Sequence, residues 1–123
     1  MRKATIKRFT APDYSGTEAI NTICTNLSFS GRNCKRIAFT SYMPGAGKTY
    51  ISINVLYNLA KRGKRVLLVD ADLRRSVVNA QYGLQFEDGR NDDKGLSHFL
   101  AGMVGMEEVI YQTDIPGALM VPV

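Results

Sequence analysis

No stretch of this 123-residue sequence reaches the eighteen or so apolar residues that a bilayer-crossing helix needs, so no such helix is expected. The basic opening, Met1–Thr10, is not followed by the apolar segment of a secretory leader, which argues against one. Cysteine is scarce. Cys24 and Cys34 are the only two, and neither stands in a metal-ligand spacing. Both read as reduced cytosolic thiols, with a structural disulfide the minor alternative. Histidine is scarcer still: His98 stands alone in a short amphipathic stretch and reads as a surface or half-buried imidazole rather than a catalytic one. Internal repeats and low-complexity segments are absent.

What is present suits one small globular domain with a modest core. Apolar residues make up 45 % and charged residues 22 %, both ordinary values. The formal charge of +5 suits a protein that handles anionic phosphates, or works near an acidic membrane surface, without naming a partner. Residues 1–14 are polar and basic and carry Pro12, which reads as an arm. Ser15-Gly-Thr-Glu18 has the form of a capping box and opens a helix to about Phe29, with Ile20, Ile23, Cys24 and Leu27 as its buried stripe. Arg36–Ser41 reads as a strand, and Tyr50–Arg62 as a helix closed by Gly63. Ile51, Val55, Leu56 and Leu59 are expected to face the sheet.

Arg65–Asp70 (RVLLVD) reads as a second strand, covered on both faces as in a parallel sheet and reached by a right-handed crossover. Short helices are expected around Ser76–Tyr82 and Leu96–Ala101, and a helical turn at Glu107–Tyr111. A polar loop spans Glu87–Lys94, and Ala118–Val121 reads as a third strand. Three parallel strands would leave long unpaired edges, so the sequence is expected to be a fragment of a longer domain or to come from a truncated gene. The fold class is α/β, a parallel sheet with flanking helices of the P-loop NTPase type, with residues 15–123 as its N-terminal part.

The chemistry gathers at two places. Ser41-Tyr-Met-Pro-Gly-Ala-Gly-Lys-Thr49 lies between a strand pattern and a helix pattern, where convergent backbone N–H groups, the helix dipole and an ammonium together grip polyphosphate. Pro44, Gly45, Ala46, Gly47, Lys48, Thr49 and Tyr50 are the candidate nucleotide contacts. Lys48 reaches toward β- and γ-phosphates, and Thr49 supplies a magnesium ligand. The general P-loop pattern wants glycine at position 42, where Tyr42 stands. At the second place, Asp70 and Asp72 lie at the C-terminal end of the following strand, where ligands bind in α/β sheets. They can hold magnesium or accept a proton, while strand-end capping is the bland alternative. Arg74 and Arg75 read equally as phosphate partners or surface residues.

The pair SYMPGAGKT and VLLVDADLRR resembles the bacterial tyrosine kinases of capsule and exopolysaccharide systems, the CpsD/CapB type. These carry a Pro-Gly-x-Gly-Lys-[Ser/Thr] Walker A loop and a second motif, strand then Asp-x-Asp-x-Arg. The similarity extends through Glu18–Leu27, Gly95–Gly102 and Leu119–Val123. Partition and septum-site ATPases are the nearest rivals, and they typically have a lysine where Met43 stands and glycine where Pro44 stands. The resemblance implies ATP-dependent phosphoryl transfer to protein tyrosine in control of polysaccharide synthesis. Lys48, Asp70 and Asp72 would then be catalytic, Thr49, Asp70 and Asp72 would serve magnesium, and ATP and Mg2+ would be the cofactors.

It also implies a cytoplasmic protein recruited to the inner membrane face by a transmembrane polysaccharide-chain regulator, with no nucleic-acid partner. The sequence departs from the family at three points. Asn21 and Cys24 replace arginines of the helix used in ring assembly, which puts ring formation in question. Ala46 stands where glutamate is frequent. The family's Walker B strand and tyrosine-rich tail are expected to lie beyond Val123. Two other readings remain open, a partition-type ATPase switch and an inactive nucleotide-binding fragment.

Overall fold

The structure, a computed structural model, describes residues 2–7, 9, 12–30, 35–40, 47–72, 83–87 and 94–123. Its first helix, α1 (Tyr14–Phe29), is capped by Asp13, whose carboxylate accepts from the Gly16 N–H at 2.8 Å. The expected Ser15–Glu18 box is therefore replaced by a cap two residues earlier. There an ionised acceptor on extended backbone meets an orphan helix donor. The predicted stripe holds: Ile20 and Cys24 are buried, and Ile23 and Leu27 pack around them.

The second helix, α2 (Lys48–Lys61), ends as its sequence suggests. Gly63 has φ +83°, and the N–H groups of Gly63 and Lys64 return to the carbonyls of Ala60 and Leu59 at 3.0 and 3.1 Å. The apolar residues of α2 serve two surfaces rather than the sheet alone. Ile53, Leu56 and Ala60 pack on the sheet beside Met120 and Ala118, whereas Val55, with Ile51 and Leu59, packs toward Ile20 and Cys24 of α1. Asn58 Nδ2 donates to Asn21 Oδ1 at 2.7 Å, and the Arg62 guanidinium donates to the Asn21 carbonyl at 3.3 Å and to Thr25 Oγ1 at 3.4 Å. Positions 21 and 24, arginines in the family that the sequence resembles, here serve the seam between α1 and α2.

The strands are β1 (Arg2–Ile6), β2 (Val66–Val69), β3 (Leu84–Phe86), β4 (Tyr111–Thr113) and β5 (Ala118–Val121), in the order β2-β5-β4-β1-β3. The β2–β5 and β1–β4 pairs are parallel, and β4–β5 and β1–β3 antiparallel. The sheet is thus mixed, not all parallel. Its β1 corrects the reading of 1–14 as an arm. Ala4 and Ile6 point inward between exposed Lys3 and Thr5, a two-residue period that the basic composition obscured. The Ile6 N–H also donates to Asp114 Oδ1 at 3.0 Å, and Arg2 lies over the Tyr111 ring. Short β3 falls between the expected helix at Ser76–Tyr82 and the expected polar loop at Glu87–Lys94, and β4 follows a single 3-10 turn at Met106–Glu108 where a helical turn was expected at Glu107–Tyr111. These strands have three residues each, too few to display a period.

Two other expectations change. Residues 35–40 form no strand: they are mostly exposed and lie outside the sheet. A strand–helix–strand crossover from 36 to 70 is therefore not formed among the described residues. Nor is β2 covered on both faces, since Leu67 and Val69 are each 45 % exposed. The short helix α3 (Leu96–Leu100) and β5 match the sequence reading. His98 is half-buried and accepts the Gly95 N–H on Nδ1 at 3.0 Å, a structural contact within its own helix start. The expected helix at Ser76–Tyr82, the Gly31–Asn33 helix stop and Cys34 fall outside the described residues. Gly117, between β4 and β5, has φ +85°, and a Cβ there would lie 2.8 Å from the Lys64 carbonyl oxygen.

Leu56→Ala should cost about 2–5 kcal/mol, because its side chain sits in the packed α2–sheet layer. Leu67→Ala, on the exposed edge strand, should stay within about 0.5 kcal/mol; urea unfolding of both variants checks the contrast. Burial raises the Cys24 thiol above its ordinary value, and the charge of Arg62 offsets this in part. The folded state therefore holds this proton more tightly than the unfolded chain. Its contribution is complete below the ordinary thiol range, about 8.5, and is lost as pH rises through that range toward the folded value. Thermal melts at rising alkaline pH should fall more steeply for the parent than for Cys24→Ala.

Candidate functional site

The start of α2 is the centre of the site. Gly47 is the N-cap residue, with φ +85° and no side-chain cap on the helix. Glycine takes this left-handed conformation without the steric cost that a Cβ imposes. The first intrahelical bond runs from the Ile51 N–H to the Gly47 carbonyl at 2.9 Å. That leaves Lys48, Thr49 and Tyr50 in the first turn, whose N–H groups have no intrahelical acceptor and stand at the positive end of the helix dipole. No acidic residue occupies that turn to satisfy or neutralise it.

Across from this turn, β2 delivers the two carboxylates. The Asp70 N–H donates to the Val121 carbonyl at 2.9 Å, which continues the β2–β5 ladder by one residue. Asp70 Oδ1 then accepts the Asp72 N–H at 3.1 Å, turning the chain back at the strand end. Lys48, Thr49, Asp70 and Asp72, all half-buried, line one groove of about 1010 Å³ between α2, β2 and residues 35–39. The predicted catalytic and metal-binding residues are thus brought together. Tyr50 lies outside the groove lining and is 42 % exposed. Pro44, Gly45, Ala46, Arg74 and Arg75 fall outside the described residues.

Ser52 also lines the groove and went unnoticed in the sequence. Its hydroxyl donates to the Thr49 carbonyl at 2.9 Å, so it steadies the first turn. The signal was its place one helical turn after Thr49. Lys35, Arg36 and Arg65 also line the groove and add positive charge to it. Among the described residues no three His, Cys, Asp or Glu side chains gather as a metal site. A hard divalent ion would need the carboxylate pair, the Thr49 hydroxyl and oxygens from the ligand, a donor set that magnesium accepts.

The AAA-domain family model matches residues 34–123, which include the loop, α2 and both carboxylates. The chain belongs to the AAA-domain family. This AAA domain is 35 % identical over 105 residues to the tyrosine-protein kinase CpsD of Streptococcus agalactiae, a match covering 85 % of the chain and 44 % of the relative. It is 36 % identical over 104 residues to CpsD of Streptococcus pneumoniae, covering 85 % and 44 %. Among solved structures, the BceF tyrosine kinase domain superposes with a TM-score of 0.74 at 28 % identity, covering 95 % of this chain and 45 % of that one. The expected kinase relationship therefore holds for this stretch, and the chain spans less than half the length of the curated relatives it matches.

Gly47→Ala should cost about 1–2 kcal/mol through left-handed backbone strain, because among the described residues no non-neighbouring atom lies within 4 Å of the added Cβ. A chemical-denaturation midpoint that does not move would contradict this account of the N-cap.

Proposed function

We propose that this AAA domain binds magnesium-ATP in the groove and serves phosphoryl transfer to protein tyrosine, as the names of its relatives suggest for them. The observation that supports this most is the convergence of Lys48, Thr49, Asp70 and Asp72 on one groove beside an uncapped helix start. The residues present fit the group. First-turn N–H groups would meet phosphate oxygens, and Lys48 would add a mobile positive charge where negative charge develops in transfer. Thr49, Asp70 and Asp72 would hold magnesium, which when bound neutralises phosphate charge and orients the transferring group. One of the two carboxylates would accept the proton from the attacking tyrosine hydroxyl. The Asp72 N–H bond to Asp70 Oδ1 fixes their relative placement, so the two need not share one role.

Pro44, Gly45 and Ala46 complete the phosphate loop in this reading. The biological setting proposed is control of capsular or exopolysaccharide synthesis at the inner face of the membrane, with a transmembrane polysaccharide-chain regulator as activating partner. No helix among the described residues is long and apolar enough to cross a membrane. The packing of Asn21 and Cys24 against α2 favours an α1 committed to its own domain over one offering arginines to a neighbouring subunit.

Lys48→Met should remove measurable magnesium-ATP binding by calorimetry while leaving the circular-dichroism spectrum unchanged. In the intact kinase it should abolish phosphotyrosine on immunoblots. Asp70→Asn and Asp72→Asn should each lower autophosphorylation by about a hundredfold or more. Undiminished phosphotyrosine in Lys48→Met would overturn the assignment.

A further inference from the structure

Helices α1 and α2 run side by side in the same direction. A Cβ added at Gly16 would lie 3.6 Å from the Tyr50 hydroxyl, Asn21 bonds Asn58 at 2.7 Å, and Thr25 bonds Arg62 at 3.4 Å, so residue numbers rise together along the seam. The start of α1 therefore stands at the same end of the domain as the start of α2 and the phosphate site. Tyr14 is the first residue of α1 and is 80 % exposed. Its backbone sits in a fixed turn. Asp13 caps the helix, the Thr17 N–H donates to the Asp13 carbonyl at 2.8 Å, and the Thr17 hydroxyl donates to the Pro12 carbonyl at 3.2 Å. At 3.6 residues per turn, Tyr14 lies about 200° round the helix from Gly16. Gly16 faces α2, so Tyr14 faces away from the phosphate site of its own domain.

The other described tyrosines are held by their surroundings. Tyr111 is fully buried, and its hydroxyl donates to the Lys94 carbonyl at 2.8 Å. Tyr57 lies against Phe9 with ring centroids 4.7 Å apart. Tyr50 is 42 % exposed and turns its hydroxyl toward Gly16. Among the described tyrosines, Tyr14 leaves the largest share of its side chain in solvent. We propose that Tyr14 is a phosphate acceptor, modified by a second copy of the same kinase. This rests on the kinase reading and adds to it an acceptor residue and a route. The route runs between copies because Tyr14 faces away from its own site. Tyr14 and the site share one end of the domain, so two copies meeting by these ends bring each tyrosine toward the other's site. In the transfer, the Tyr14 phenolic oxygen bonds to the γ-phosphorus of ATP held by the other copy. The bond from that phosphorus to the β–γ bridging oxygen breaks, and ADP leaves with the electron pair. The phenol proton passes to one of that copy's two site carboxylates.

The tryptic peptide Phe9–Arg32 contains Tyr14 as its single tyrosine, so mass spectrometry with fragment ions reads phosphate there apart from the nearby hydroxyls. In the intact kinase, a Lys48→Met acceptor mixed with a Tyr14→Phe donor and magnesium-ATP should gain phosphate on Tyr14. The same acceptor alone should gain none. Phosphotyrosine on other peptides with none on Tyr14 would overturn the proposal and leave the kinase reading in place. No phosphotyrosine on any peptide would remove both. Label on Tyr14 of the parent but never on the Lys48→Met acceptor would overturn transfer between copies. A separate measurement needs no transfer at all: tetranitromethane should nitrate Tyr14 of the nucleotide-free protein while Tyr111 stays unmodified. Equal nitration of the two would contradict the exposure on which the proposal stands.

Discussion

Helix α2 is buried on two sides, and that constraint organises everything else. One side carries Ile53, Leu56 and Ala60 to the sheet, and the other carries Val55 to Ile20 and Cys24 of α1. A helix held from both sides has little freedom to rotate, so the direction of its first turn is fixed by apolar packing several residues away. At roughly 25 cal/mol per Å² of apolar surface, burying one such leucine or isoleucine contributes about 1.5–3 kcal/mol. The polar bonds from Asn58 and Arg62 to α1 lie on the exposed rim. They set register more than they add stability.

The phosphate site inherits its geometry from this arrangement. Lys48 and Thr49 are on the first turn of the clamped helix, and Asp70 is held by β5 through its backbone N–H. The two halves of the site therefore belong to different elements that share one core. Mobile side chains on a fixed frame suit a site that must follow a phosphate through transfer. The close relation in sequence and shape to kinase domains fits a frame of this kind, while the chemistry rests on the four residues themselves.

Much of this was legible in the sequence, and the parts that were not had physical reasons. Both long helices and β5 announced themselves through apolar spacing and a glycine stop. The Lys48–Thr49 and Asp70–Asp72 pairs were readable because each sits at the end of a strongly patterned element. Strand β1 was hidden because its inward face carries a charged residue, Arg2, beside only two small or branched ones, Ala4 and Ile6, with Lys3 and Thr5 between them. Strands β3 and β4 were too short for any period to emerge. The segment 36–40 misled in the opposite way: its composition favours a strand, but strand pairing is a property of neighbours that one segment cannot encode.

Gly117 links two connections that are far apart in sequence. The turn between β4 and β5 approaches the Lys64 carbonyl so closely that a Cβ would press on it at 2.8 Å. The same carbonyl belongs to the link between α2 and β2. Drift in either connection is consequently coupled: a longer link after α2 would open room at position 117, and a side chain at 117 would demand such a lengthening. A side chain at 117 would meet two obstacles at once, the positive φ and the Lys64 carbonyl, so the turn and the link hold each other in place.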